Sequence, residues 1–358
     1  MSDTTTSQRP LACAGDMGNM FSTSLLNMLL SVLTLSIYRF WGKTNVRRQL
    51  WGAVRAWGDP LEYTGTGKEL FIGFLIVLFA IYLPLVGGFA WAQVMLVSGN
   101  PLGALLLSGL YLLTVMLVSV GLYRARRYQM SRTVWRGIRG GQTGSGWSYA
   151  LRTLVVWIAV PLSLGWAWPW GEMWLANYRF NNTTFGDRHF KCDATASGLY
   201  GRFTLVWFSG LIFVVAAGIL AVGAASLVEQ GEMDETTAAV AFALVLVPLA
   251  VLTMALPSAW YRAGFYRNLA AGTEFEGSRF SVDIRAWGLI GLVAGNMLIS
   301  LFSLGVLRPM ASLRTFRYGC SVIGVEGEPD FAKVLRAEDT GPSTGEGLVA
   351  VLDGAGEF

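Results

Sequence analysis

Apolar residues in this chain run in long uninterrupted blocks instead of recurring at amphipathic spacing. Four blocks exceed 20 residues without one charged side chain: Leu70 to Val97, Pro101 to Tyr123, Phe203 to Val228 and Ala238 to Trp260. They form two closely spaced pairs. A helix rises about 1.5 Å per residue, so roughly 20 apolar residues cross the ~30 Å hydrocarbon layer. The pattern predicts an all-α, polytopic integral membrane protein with four spans in two hairpins. Three further charge-free blocks, Gly18 to Tyr38, Thr153 to Gly171 and Ala286 to Leu307, are long enough either to cross or to dip in and return.

Charge placement bears on that choice. Lys43, Arg47, Arg48, Arg55 and Lys68 follow the first short block, and Arg124, Arg126, Arg127, Arg132, Arg136 and Arg139 follow Tyr123. Residues 171–202 carry Arg179, Arg188, Lys191 and Arg202; residues 261–285 carry Arg262, Arg267, Arg279 and Arg285; the tail begins with Arg308, Arg314 and Arg317. The hairpin tips hold no basic residue, and the second holds Glu229, Glu232, Asp234 and Glu235. Positive charge in short loops marks the cytoplasmic side. Four crossings with three re-entrant segments put every basic loop there. Seven crossings would place two basic loops outside, and six, with only the middle segment dipping, is the third arrangement.

The short blocks end alike: Ser36 to Trp41 after Thr34-Leu35, Ser163-Leu164-Gly165 to Trp170, and Ser303-Leu304-Gly305 to Met310. Leu35 and Leu164 lie 129 residues apart, and Leu164 and Leu304 lie 140 apart. Two crossings separate equivalent pieces, which predicts parallel repeats about an axis near the membrane normal. The units are 18–140 and 150–285, with a partial third copy at 286–325, between an N-terminal tail (1–17) and an acidic, flexible tail (326–358). Gly beside an acidic residue, within alternating apolar positions, is a β-hairpin signal. It occurs at Gly58-Asp59, Gly186-Asp187, Glu276-Gly277 and Glu326-Gly327, predicting small cytoplasmic β elements.

Composition agrees. Charged residues make up 14% and hydrophobic ones 53%, against about 25% charged in soluble domains. A net charge of +4, dispersed along the chain, does not suggest nucleic acid as a partner. Cys13, Cys192 and Cys320 are odd in number and scattered, which argues against a disulfide framework or structural zinc. The first residues lack a basic n-region followed by an apolar h-region, so no cleaved signal peptide is expected.

The run Asn27-Met28-Leu29-Leu30 to Phe40-Trp41-Gly42-Lys43-Thr44, then Glu62 to Phe71, Trp135 to Gly141, Asn181 to Gly186 and Gly345 to Leu348, resembles the YjgN-like family of bacterial inner-membrane proteins. The resemblance covers about residues 10–350. It implies a multi-pass inner-membrane protein whose domain has no assigned activity; the charge placement puts most loops and the C-terminal tail on the cytoplasmic side. Ser36 departs from the family's usual Gly, and Arg39-Phe40-Trp41 lacks the Pro of the later copies.

Arg39 and Arg308 each close a short apolar block, where they suit lipid phosphate or an anionic substrate, or simply snorkel to the headgroups. Arg124, Arg126 and Arg127 stand just past a span, where anionic lipid is attracted by about 1 kcal/mol per charge. Asn27 and Asn296 are polar sites inside apolar blocks, suited to a solute path or to one interhelical hydrogen bond. Pro84, Pro161, Pro248 and Pro257 break helices within apolar blocks. Gly65 to Glu69 is no phosphate loop, since Glu62 stands where the first Gly is needed and Glu69 follows the Lys. His189 is the only histidine, so metal catalysis has no support; no Gly-x-Ser-x-Gly elbow occurs. No cofactor and no enzyme activity are expected. The lipid bilayer is the certain partner. The leading expectation is a non-enzymatic module that scaffolds or regulates a membrane-protein partner; the alternative is a transporter or channel for a lipid or small polar solute.

Overall fold

The structure is a computed structural model that describes residues 9–327 together with Pro329, Phe331 and Val334. Four helical rods dominate it. The first is α3 (Gly67–Val77) continued by α4 (Leu83–Val97) across a π-helical segment, Leu78–Tyr82. Pro84 lacks an N–H and its ring crowds the carbonyl one turn back, so the helix widens there. The others are α5 (Leu102–Ser131), α8 (Tyr200–Glu229) and α9 (Glu235–Ala271). Thr66 caps α3 by accepting from the Glu69 N–H, and Asp234 caps α9 through the Thr237 N–H. All four are long and apolar enough to cross a membrane, with between 0 and 17% of their most apolar stretch buried. An apolar surface so exposed needs a solvent other than water.

Three shorter apolar helices, α1 (Met17–Leu33), α6 (Gly146–Leu162) and α10 (Ala286–Phe302), each double back into a more polar partner: α2 (Arg39–Ala53), α7 (Trp168–Asn181) and α11 (Arg308–Val322). The reversals share one construction. Leu35, Leu164 and Leu304 each take φ 50, followed by Ser36, Gly165 and Gly305 at φ 69, 93 and 84. The N–H of each second residue bonds the carbonyl five back: Ser31, Val160 or Ser300. This is a Schellman closure with leucine where glycine is usual. Thr34, Ser163 and Ser303 brace it by accepting from the N–H of Tyr38, Ala167 and Leu307 at 2.9, 2.8 and 3.1 Å. The legs then pack closely. Asn27 donates to the Gly42 carbonyl, Asn296 donates to the Thr315 hydroxyl, and at the matching place Val156 lies against Gly171.

Strands join the helix ends: β1 (Leu11–Cys13), β2 (Val54–Ala56), β3 (Asp59–Tyr63), β4 (Thr133–Trp135), β5 (Ile138–Gln142), β6 (Thr183–Phe185), β7 (Arg188–His189), β8 (Lys191–Cys192), β9 (Thr273–Phe275), β10 (Ser278–Val282) and β11 (Ile323–Glu326). Sequence neighbours pair antiparallel from β1 through β7 and from β8 through β11. The two sheets meet at Phe190, whose N–H bonds the Thr183 carbonyl. Two-residue turns at Trp57-Gly58, Arg136-Gly137 and Glu276-Gly277 have positive φ throughout, the type I′ geometry that fits strand twist. Gly186-Asp187 is a fourth two-residue turn, with positive φ at Gly186 alone.

The packed core lies where the strands meet the polar helices, not along the rods. One cluster unites Met20, Val46, Leu50, Ala53 and Leu313; another unites Met173, Ala176, Cys192, Leu199, Phe203, Tyr261 and Phe265. Ion pairs tie strand hairpins to their neighbours, Asp59 to Arg136 and Arg188 to Glu276. The acidic tail expected from residue 326 begins later in space than in composition. Glu326 ends β11, Pro329 and Val334 are buried, and Phe331 packs on the strands. Residues 335–358 lie outside the described part.

Candidate functional site

Aromatic residues line the inner side of the strand assembly as a continuous band. Trp57 meets Trp135, Trp135 meets Phe185, Phe185 meets Phe275, and Phe275 stacks on Phe190 at 4.5 Å. They bound an apolar cavity of about 270 Å³. Phe331 enters it edge-on, 4.9 Å from Trp57 and 4.8 Å from Trp135 between ring centres. Each such pair contributes about 0.5–1.5 kcal/mol beyond area burial.

A second apolar cavity, about 390 Å³, lies between α9, α10 and α11 above β10. Leu269, Leu289, Leu292, Tyr318, Gly319 and Val322 line it, and Phe190 and Phe280 form walls of both cavities. Its volume falls in the range of small-molecule sites. Only Thr273, Thr315, Tyr266 and Tyr318 bring side-chain hydroxyls to it. Burial raises the Tyr318 phenol above its ordinary value, so it stands in the wall as a neutral group. An occupant would have to be almost wholly apolar.

The sequence-named residues are distributed around these features. Arg39 lies over the rings of Phe40 and Phe74, at 5.0 and 5.3 Å. Arg308 folds back over Gly305 of its own turn. Arg124 is exposed on α5, Arg127 is half-buried beside Tyr123, and Arg126 turns inward to lie 5.2 Å from the Phe180 ring. Asn27 and Asn296 pin helical hairpins, as described above. Asn296 Oδ1 is buried without a hydrogen-bond partner among the described residues. The structure does not gather these seven residues into one place. It instead carries Arg126 over the ring of Phe180 in α7, a pairing that sequence reasoning did not make. The only signal was a basic run beyond an apolar block.

Gly65 to Glu69 builds the start of α3. Glu69 accepts from the Tyr128 hydroxyl at 2.6 Å and pairs with Arg132 at 3.0 Å. His189 is exposed on β7. No group of three or more metal-ligating side chains occurs among the described residues.

Four long apolar rods, with the packed core gathered where the strands lie, are those of a polytopic α-helical membrane protein carrying a strand-built layer at the helix ends. The chain belongs to the family described as bacterial protein of unknown function (DUF898), whose model matches residues 8–351. It is also similar to the inner membrane protein YjgN of Salmonella typhimurium, 37% identical over 73 residues, which is 20% of this chain. The matched stretch spans 18% of that relative's length. No solved structure matches.

Proposed function

We propose that this is a bacterial inner-membrane protein that receives the apolar chain of a membrane amphiphile in the cavity between α9, α10 and α11. The cavity itself carries the reading: about 390 Å³ with a mostly apolar wall, next to a helix long enough to span. Water gains few hydrogen bonds in such a space, whereas an acyl chain replaces exposed wall area at about 25 cal/mol per Å². In this arrangement the four rods cross as two hairpins. The three short helical hairpins enter and return from the side that bears the strands and the arginines, and related units repeat about an axis near the membrane normal. Similarity to the Salmonella inner membrane protein supports the inner membrane as location. Passing the chain onward, as a lipid transporter does, is a direct extension.

The test uses Gly319. A Cβ at Gly319, one of the lining residues, meets nothing within 4 Å, so Gly319→Phe adds a ring at the cavity wall with no clash at its Cβ. A photoactivatable fatty acid in reconstituted bilayers should crosslink the parent chain at α10 or α11, and the Phe variant at least tenfold less. Equal crosslinking in both would reject the reading.

A second reading, a module that scaffolds or regulates a membrane partner, draws support from Phe331. An aromatic cavity that takes one Phe from its own chain would accept one from another protein. Co-purification of a partner that strengthens on Phe331→Ala favours this reading; a partner unaffected by that change removes the aromatic cavity from it.

A further inference from the structure

The two apolar cavities are neighbours. Phe190 and Phe280 belong to the walls of both, so two phenyl rings, 6.1 Å apart between centres, stand where the spaces adjoin. Phe190 lies in the seam between the two sheets, in neither β7 nor β8, and its N–H reaches the Thr183 carbonyl at 3.0 Å. Neither ring is fully buried, as befits walls of open spaces. A ring that borders empty space on two sides has room to change rotamer. Either ring doing so joins the two spaces.

Phe331 stands at the other end of the aromatic cavity. Its ring partners are Trp57, Trp135 and Phe185, and from Phe185 the rings lead through Phe275 to Phe190. The cavity of about 270 Å³ is what remains with Phe331 in place, since Phe331 is one of its walls. Among the described residues its backbone bonds only within its own segment. The N–H reaches the Pro329 carbonyl at 2.9 Å, and the carbonyl accepts from the Val334 N–H at 3.3 Å. Ring contacts, not a strand ladder, therefore seat it. An apolar ligand that covers the same rings replaces what Phe331 gives up on leaving.

The walls indicate the ligand. In the aromatic cavity Thr133 donates to the Gln129 carbonyl at 2.9 Å and Thr183 to the Arg179 carbonyl at 2.8 Å. In the other, Thr273 donates to the Leu269 carbonyl at 2.7 Å and Thr315 to the Ala311 carbonyl at 3.0 Å. These hydroxyls spend their protons on carbonyls four residues back and offer no donor to a ligand. A polar group entering either space would lose its hydration for little return, whereas a narrow hydrocarbon chain can follow one space into the next. Resting on the reading of the first cavity given above, we infer that the two cavities are successive compartments of one site for a long acyl chain. Phe190 and Phe280 form the passage between them, and Phe331 is the end wall that sets how long a chain is taken.

Fatty acids with a diazirine on the terminal carbon report where the chain ends. Octanoic, dodecanoic and octadecanoic forms are added to the full chain in phosphatidylethanolamine–phosphatidylglycerol bilayers. Labelled peptides are identified by mass spectrometry, counting only label that excess unlabelled fatty acid removes. The shortest form should label α10 or α11, and the longest should reach the peptides of β4 and β6. Phe331→Ala should raise β4 and β6 labelling by the longest form at least threefold. Phe331→Trp, which keeps a larger ring in place, should lower it by a similar factor; opposite signs exclude lost folding as the cause. Label confined to α9, α10 and α11 at every chain length, or a longest-form pattern that neither Phe331 variant moves, overturns the joined site. Short-chain label at α10 or α11 that still falls on Gly319→Phe would then leave the first cavity's reading standing. Absence of label at α10 and α11 from every form removes both.

Discussion

Leu304 stands 92% exposed at φ 50, at the tip between α10 and α11. A left-handed leucine costs about 1 kcal/mol or more relative to glycine, and in water an exposed leucine returns nothing for it. A bilayer changes the balance. The helix α10 has 17 residues and follows Arg285 directly, so the tip reaches about 25 Å beyond a headgroup-level arginine if the helix stands upright. With the usual tilt of about 20° the tip still lies about 24 Å in, past the middle of a ~30 Å hydrocarbon layer and about 6 Å short of its far edge. Transfer values near the centre favour leucine by about 0.3–0.6 kcal/mol and oppose aspartate by about 2.5–3.5 kcal/mol. Those values are upper bounds at this depth, so Leu304→Asp should destabilise the bilayer-embedded protein by about 1–3 kcal/mol, one to two orders of magnitude in the unfolding constant. A water-exposed tip predicts the reverse sign, since aspartate tolerates the left-handed region better. Leu304→Gly is the control: it relieves the same strain and brings no charge. Unfolding by SDS titration in bicelles measures all three proteins. An Asp variant as stable as the parent, or more stable, would refute membrane insertion of the tip.

Other parts of the molecule give independent tests. Gly171→Ala would place a Cβ 2.5 Å from Val156 Cγ1, so the α6–α7 hairpin should lose about 1–3 kcal/mol, seen as a lower Tm in detergent. Asn27→Ala removes one hydrogen bond to Gly42 and should cost under about 1 kcal/mol, as interhelical bonds in membranes do; a larger loss, or altered solute flux in liposomes, would give Asn27 a further role. Phe331→Ala removes the edge-on contacts to Trp57 and Trp135 and should raise acrylamide quenching of tryptophan fluorescence, with a stability loss of about 1–3 kcal/mol. Burial, with Cys13 nearby, pushes the Cys320 thiol up to about 11. Only about one in a thousand would be thiolate at pH 8, so Cys320 should resist maleimide until the pH rises toward 11 or the chain is denatured. Fast labelling at pH 8 in the folded state would contradict its placement.

The rods were legible because membrane solubility imposes a crude rule: length without charge. Their ends are visible in Thr66 and Asp234, which cap α3 and α9, and in the acidic and uncharged tips. The short helices were legible as apolar blocks, yet their fate was not. Whether a block of about 20 residues crosses or turns depends on two backbone angles at Leu35, Leu164 and Leu304, and leucine is not a residue that announces a left-handed turn. Ser36 shows why the first copy dispenses with glycine. It takes the same positive φ as Gly165 and Gly305, because Thr34 and the Ser31 carbonyl hold the closure from both sides. Trp135 to Gly137 was read only as part of a family motif, although its Arg-Gly pair makes the same turn as Trp57-Gly58.

Least legible were the surroundings of Arg126, and the reason is geometric. Arg126 lies over Phe180, which two strands and α6 separate from it in the chain. Charge counting treats Arg124, Arg126 and Arg127 as equals on a basic run, but a helix turns about 100° per residue and sends them to different surroundings. Arg124 faces outward, Arg127 borders Tyr123, and Arg126 alone is carried over Phe180. Orientation signalling needs only that positive charge stay on one side of the bilayer, and an outward-facing arginine serves it fully. It gives no reason to bury the Nε of Arg126 against an aromatic ring, and that burial is what sets this arginine apart from its two neighbours on the same run.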